Sequence, residues 1–293
     1  MLDTYHCVKH NVHIGGMDVN RLSLQDRAKI IGCLTEGVSM RATSRLVGCS
    51  INTVTKLLVD LGTACSLYQN EVMRTLPCKR VQVDEIWAFC SSKQKNTPPN
   101  IRGLGKGDVW TWVAIDADTK LVPSWLVGGR DAEYAKAFIG DLAGRLANRV
   151  QLTSDGHKAY LNAVEDAFGS EVDYSMLVKI YGAADGNLQE RRYSAGHCCG
   201  TITGTVCGDP DPKHVSTSFV ERQNLSLRMG NRRFTRLTNG FSKKAANHEH
   251  ALAIYYMHYN FGCIHKSLRV TPAMQAGIGD HIWSLEEIAA LGH

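Results

Sequence analysis

KRVQVDEIWAF, residues 79–89, is the stretch on which the fold turns. Val81, Val83, Trp87 and Phe89 recur at alternate positions and fall on one side of an extended chain, while Asp84 falls on the other. The period of two follows a long helical pattern, so a sheet begins here. Aspartate is disfavoured inside strands, and Asp84 sits in mid-strand among apolar neighbours. Either a basic side chain satisfies it in the core or it faces a site.

Downstream, residues 91–108 are rich in Gly, Pro, Asn and Lys and read as a loop. VWTWVAIDADTKLVPSWLVG (109–128) reads as two strands around a DADTK turn, with Asp116 and Asp118 as turn residues. Residues 131–148 suit a helix, RVQLTSD (149–155) a short strand, GHKAYLNAVEDAF (156–168) a helix and VDYSMLVKIYG (172–182) a further strand. Asp155 stands where a strand gives way to a helix, the place where α/β sheets meet ligands; a helix cap is the plain alternative. Residues 182–215 are Gly-rich and read as an insertion loop. The whole of 80–275 therefore forms a mixed α/β domain, with 276–293 as a tail.

Upstream, residues 1–20 are polar and without periodicity, and read as a flexible arm. His6, Cys7, His10 and His13 lie there without the paired-cysteine spacing of a zinc site. Over 21–62 the pattern gives three short helices, with Ser23, Ser39 and Ser50 as N-caps and Gly37, Gly48 and Gly62 as stops. The tight turn between the last two makes a helix-turn-helix. Asn52, Thr53, Thr55 and Lys56 open its recognition helix and would face a DNA major groove. A helical bundle that serves only as a dimer interface is the competing account. Residues 63–79 read as a linker.

At 44% hydrophobic and 21% charged, the 293-residue chain has the composition of a globular protein. No apolar run approaches the ~18–20 residues that span a bilayer, and the first residues lack the apolar stretch of a signal peptide. The expectation is a cytoplasmic protein with no membrane partner. Its ten cysteines are scattered, which suits free thiols; His197, Cys198, Cys199 and Cys207 are too irregular to read as a zinc site.

From Glu221 to Lys244 seven basic residues stand against one acid, while the whole chain carries only +5. The basicity is local and points to a polyanionic partner. Glu221 itself, in SFVE, fits a capping box with Ser218. On a helical wheel, however, Glu221, Asn224, Arg228 and Arg232 share a face, with Phe219, Val220 and Leu227 opposite. A phosphate laid on that face would meet arginine and then a carboxylate, a repulsion that a divalent cation relieves. Hard cations take oxygen ligands, and Asp84 and Asp155 are the other candidates. Together they outline a metal-assisted phosphoryl-transfer site.

The order Asp84 (VQVDEIW), Asp155 (LTSDGHKAY) and Glu221 (TSFVERQNLSLR) resembles the acidic triad of DDE transposases with a ribonuclease-H-like core. RLANRVQLTSDGHKAY, RRFTRLTNGFSKK and YNFGCIHKSLRVTPAM are similar to transposases of the bacterial insertion sequence 1 family, from about Met17 to Leu291. The resemblance implies an α/β fold: a ribonuclease-H-like mixed sheet with flanking helices, preceded by the helix-turn-helix domain. It implies an enzyme that cuts at the ends of its element and joins the 3′ ends to target DNA without a covalent enzyme intermediate. Asp84, Asp155 and Glu221 would be catalytic and bind two Mg²⁺ (or Mn²⁺) ions. Lys158, Arg228, Arg232, Arg233 and Arg236 would contact phosphates, and His265 would lie near the site, in the core or on a phosphate. The partners implied are double-stranded DNA, as terminal inverted repeats and target, and further copies of the chain in a homodimer or larger assembly at the nucleoid. Founder-type members carry a paired-cysteine zinc finger before the helix-turn-helix, and it is missing here. A metal-dependent nuclease of the same fold and a catalytically inactive DNA-binding regulator are the alternatives.

Overall fold

Side-chain caps define the first helices. In the computed structural model, which describes residues 22–101, 105–182, 198–235 and 238–292, the Ser23, Ser39 and Ser50 hydroxyls accept bonds from the backbone N–H groups of Asp26, Ala42 and Asn52. These start α1 (Leu24–Thr35), α2 (Met40–Val47) and α3 (Ile51–Val72), each satisfying a first-turn donor that has no partner within the helix. Gly37 and Gly48 follow the first two helices at φ 74° and 72°, a left-handed conformation that costs glycine little.

Gly62 does not stop α3 as its sequence position suggests. A Cβ there would lie 2.4 Å from the His250 Cβ, so the bare glycine lets α3 pack closely on α7 (Ala245–Met257). Residues 63–72 of the expected linker are therefore continuous helix. Leu58, Leu61 and Cys65 join Ala253, Ile254 and Met257 in the larger buried cluster.

The sheet contains β1 (Arg80–Cys90), β2 (Gly107–Asp116), β3 (Trp125–Gly128), β4 (Val150–Ser154), β5 (Val172–Tyr181) and β6 (Cys198–Cys207), in the order β3-β2-β1-β4-β5-β6. β1, β2 and β3 form an antiparallel meander; β4 lies parallel to β1 and β5 parallel to β4. Helices α4 (Ala132–Ala143) and α5 (Ala159–Phe168) make the crossovers. This is a ribonuclease-H-like mixed sheet flanked by helices, with β6 added antiparallel at the edge.

Part of the expected insertion loop is thus a strand. Cys198 pairs opposite Tyr181 and Cys207 opposite Tyr174. At roughly 3.3 Å per residue the two thiols stand about 30 Å apart, too far to share one ion. His197, Cys7, His6, His10 and His13 lie outside the described residues.

The two faces of β1 enter different clusters. Val81 and Val83 pack with Phe138, Leu152 and Tyr160 beneath α4 and α5. Ile86 and Ala88 pack with Val220 and Leu227 of α6 (Ser218–Gly230) and with Leu252 and Tyr256 of α7. Past α7, a π turn at His258–Gly262 presents Asn260, whose side chain bonds both the Val122 N–H (3.0 Å) and its carbonyl (3.1 Å). The C-terminal tail is anchored: α8 (Pro272–Gln275) is followed by α9 (Leu285–Ala290), which packs on α1. There the Arg27 guanidinium donates to the Ala289 carbonyl at 2.6 Å and also to that of Gly292. Among the described residues no helix is long and apolar enough to cross a membrane.

Candidate active site

Two side chains of β1 fix the position of α6. The Gln82 Oε1 accepts the backbone N–H groups of Phe219 (2.8 Å) and Val220 (3.2 Å). Two residues along the strand, the Asp84 Oδ2 accepts from the Asn224 amide at 2.9 Å. Val220 and Leu227 are fully buried behind this contact, each contributing about 1.5–3 kcal/mol. The capping box expected from SFVE does not form. Thr217, not Ser218, is the cap residue and makes no side-chain cap bond, because Gln82 already serves those donors. Phe219 is half-exposed beneath the Lys120 ammonium rather than buried with Val220.

Freed from the backbone, the Glu221 carboxylate takes a bond from the Thr217 hydroxyl (2.6 Å) and an ion pair from Lys179. Lys179 comes from β5, whose Val178 lies so near Gly156 that a Cβ there would approach it to 2.9 Å. β5 thereby walls the turn that carries Asp155.

Asp155 reaches Asp84 through the parallel register of β1 and β4, which sets Val83 beside Ser154. Its Oδ1 accepts the His157 N–H at 2.9 Å, which fixes the turn into α5. Carboxylate oxygens of Asp84, Glu85 and Asp155 lie within 4.8 Å of one another. Glu85 is buried and held by Arg130 (2.6 Å) and the Tyr160 hydroxyl (3.1 Å). Burial, then the charges of Glu85 and Asp155, push the Asp84 carboxyl up to about 7. Glu85 is also raised, by burial and by Asp155, against the pull of Arg130.

Asp84, Asp155 and Glu221 thus line one cleft of about 770 Å³, together with Arg130, Lys158 and Lys179. The donors are all oxygens, as Mg²⁺ and Mn²⁺ require. Burial and the neighbouring carboxylates keep Asp84 hard to ionise, a condition that a divalent cation relieves, and an ammonium already stands on Glu221. The Asp84, Glu85 and Asp155 oxygens fit such an ion; Glu221, paired with Lys179, lines the same cleft but is not in that close group.

The other candidates separate into two groups. Lys158 lines the acidic cleft. Arg228 is half-buried and is not among the residues lining that cleft; seven residues beyond Glu221, it sits about 10 Å along the helix axis. Arg232 and Arg233 line a second groove of about 580 Å³ with Arg41, Thr55, Lys243 and Lys244. No carboxylate among the described residues lines that groove. Arg233 also fastens the segment after α6 to α2, donating to Ser242 (3.1 Å) and reaching the Met40 sulfur (3.3 Å), and burial pushes it down to about 10. Asn52 and Lys56 are exposed on the first turns of α3, where Lys56 pairs with Asp60 at 2.6 Å; Thr53 is half-buried. Arg236 lies outside the described residues. His265, hydrogen-bonded to Ser267 (3.0 Å), lies in a separate pocket with Lys120 and Arg222. Asp116 ends β2 and accepts the Thr119 hydroxyl at 2.6 Å, and Asp118 stands in the turn that follows.

Sequence reasoning missed Glu85, Arg130 and Lys179. The adjacent acids of VQVDEIW were a signal for the first; nothing local marks the other two.

No protein-family model matches the chain, and no curated protein matches it. Among solved structures it is similar to a piggyBac transposase in a synaptic complex with hairpin DNA, seen by cryo-EM. The identity is 11% and the TM-score 0.39, over 97% of this chain and 73% of that one.

Proposed function

We propose that the chain is a DDE transposase of the insertion sequence 1 type, which cuts at the ends of its element and joins the 3′ ends to target DNA. One observation carries this: Asp84 from mid-strand, Asp155 from a strand end and Glu221 from a helix line a single cleft, where burial and then the neighbouring carboxylates raise Asp84 to about 7. In this proposal Asp84, Asp155 and Glu221 hold two Mg²⁺ (or Mn²⁺) ions. When bound, these supply Lewis-acid activation of the attacking water or 3′-hydroxyl and neutralise charge on the leaving oxygen.

The chain's own residues do the rest. Asn224 orients the Asp84 carboxylate from one side. Lys158 and Arg130, at the rim, orient a phosphate between the acids. Lys179 keeps Glu221 neutralised until the site is loaded and then moves to the DNA. The exposed start of α3 reads the terminal inverted repeats, and the basic groove beside it holds backbone. Because two ends must meet, the active form is a homodimer or larger.

The test is incubation of the full chain with Mg²⁺ and linear duplexes that carry the flanking ends of its own coding region, with products resolved on denaturing gels. Cleavage and joined products are expected. Asp84→Ala, Asp155→Ala and Glu221→Ala should each lower joining by at least about 10³-fold and leave end binding within about twofold. Cleavage without joining would make the protein a nuclease. No cleavage, with binding intact, would make it a regulator.

A further inference from the structure

The face of β1 that buries Val81 and Val83 carries Trp87 and Phe89 half-exposed. Trp87 lies directly opposite Trp110 on β2, and paired residues of antiparallel strands share a face. Phe89 lies 5.7 Å from Trp87 and stacks on Phe241 at 4.8 Å and 27°. Three separate segments thus form one aromatic strip.

Cations stand over its whole length. The Arg130 guanidinium lies 4.6 Å from the Trp110 ring, and the Lys243 ammonium 3.7 Å from that of Phe241. Lys93 lies 5.7 Å from Trp87 and 5.9 Å from Phe89. Among the described residues, neither Lys93 nor Lys243 forms an ion pair with a carboxylate. The ends of the strip meet the two sites described above: Arg130 lines the acidic cleft, and Phe241 and Lys243 line the basic groove. Cross-strand packing accounts for the Trp87–Trp110 pair alone. It does not account for Phe241, for the lysines or for the run between two charged sites.

We propose that this strip binds single-stranded DNA, stacking unpaired bases on Trp87 and Trp110 while Lys93 and Lys243 hold the phosphates. It leads a strand from the basic groove to the acidic cleft, and in that role it rests on the transposase proposal. Every base has a π face, so such stacking tolerates any sequence. A blunt duplex keeps its base faces hidden and gains only the phosphate contacts.

The test uses the full chain in EDTA, with fluorescence anisotropy of a labelled dT15 and of a blunt duplex. Trp87→Ala and Trp110→Ala should each weaken dT15 binding by roughly 5- to 150-fold and leave the duplex within about twofold. Trp87→Phe and Trp110→Phe should restore most of the dT15 affinity. An unchanged dT15 affinity, or equal losses on both DNAs, overturns the proposal. If circular dichroism shows the alanine variants unfolded, Lys93→Gln with Lys243→Gln decides. Its salt slope on dT15 should fall by roughly 0.7 per lost phosphate contact, and an unchanged slope overturns the strip. Wild type that joins DNA but does not depend on the tryptophans for dT15 sinks the strip alone. Tryptophan-dependent dT15 binding without cleavage or joining sinks the transposase alone.

Discussion

The acidic cleft and the basic groove are concave surfaces of similar size, about 770 and 580 Å³, built on opposite principles. In the cleft, like charges are crowded and partly buried, and each is pinned by a named neighbour: Asp84 by Asn224, Asp155 by the His157 N–H, Glu221 by Thr217 and Lys179. In the groove, Lys243 and Lys244 are exposed and Arg232 and Arg233 half-buried, with burial lowering Arg233 to about 10. Buried like charges repel in a poorly screened medium, whereas exposed ones are damped within about 8–10 Å by salt. Perturbing the cleft should therefore give large effects that depend on geometry. Perturbing the groove should give small ones that depend on ionic strength.

The largest expected effect is in metal-free protein. The folded-state pKa of Asp84, about 7, lies above the ordinary carboxylate value of 3.8, so between those values the folded chain holds a proton that the unfolded chain releases. Its contribution is fully present below about pH 4 and is lost as pH rises through 7, on the order of 2–4 kcal/mol. Urea titrations in EDTA at pH 5 and pH 8 should show wild type losing that much more stability than Asp84→Asn. Parallel curves would mean the cleft is no more strained than the groove.

Next is Asn224→Ala, which removes the side-chain donor to Asp84 and leaves the Glu85 N–H bond to it in place, without touching a candidate ligand. Activity should fall about 10–100-fold, with a higher Mg²⁺ concentration needed for half-maximal rate. A loss that Mg²⁺ does not shift would assign Asn224 to packing instead. Smallest is Lys244→Gln in the groove. Duplex affinity should fall uniformly across sequences, and the slope of log affinity against log salt should shrink by about 0.9. A sequence-dependent loss would turn the groove into a base-reading surface and break the contrast.

Much of this was legible from residues alone. The alternation of KRVQVDEIWAF places Asp84 opposite Val81 and Val83, and the structure keeps it there, because side-chain direction in a strand follows from backbone geometry. The serine caps and the glycines at 37 and 48 were readable for the same local reason. Gly62 was misread: whether a glycine ends a helix or admits a neighbour depends on His250, nearly two hundred residues away. The SFVE motif was misread likewise: the helix cap falls one residue earlier, at Thr217, whose carbonyl takes the Glu221 N–H, while Gln82 on β1 takes those of Phe219 and Val220.

By itself, then, the sequence determined most of the elements, β6 and the second half of α3 excepted, together with the face on which each candidate acid sits and the position of the basic segment, since these follow from local periodicity and charge. Only the tertiary structure decided which groups meet. The parallel register of β1 and β4 brings Asp155 to Asp84, β5 brings Lys179 to Glu221, and Arg130 comes to Glu85. The docking of α2 and α3 on the segment after α6 draws Arg232 and Arg233 away from the acids. Those pairings depend on distance in space, which strand register and helix packing set and which no single stretch of the chain encodes.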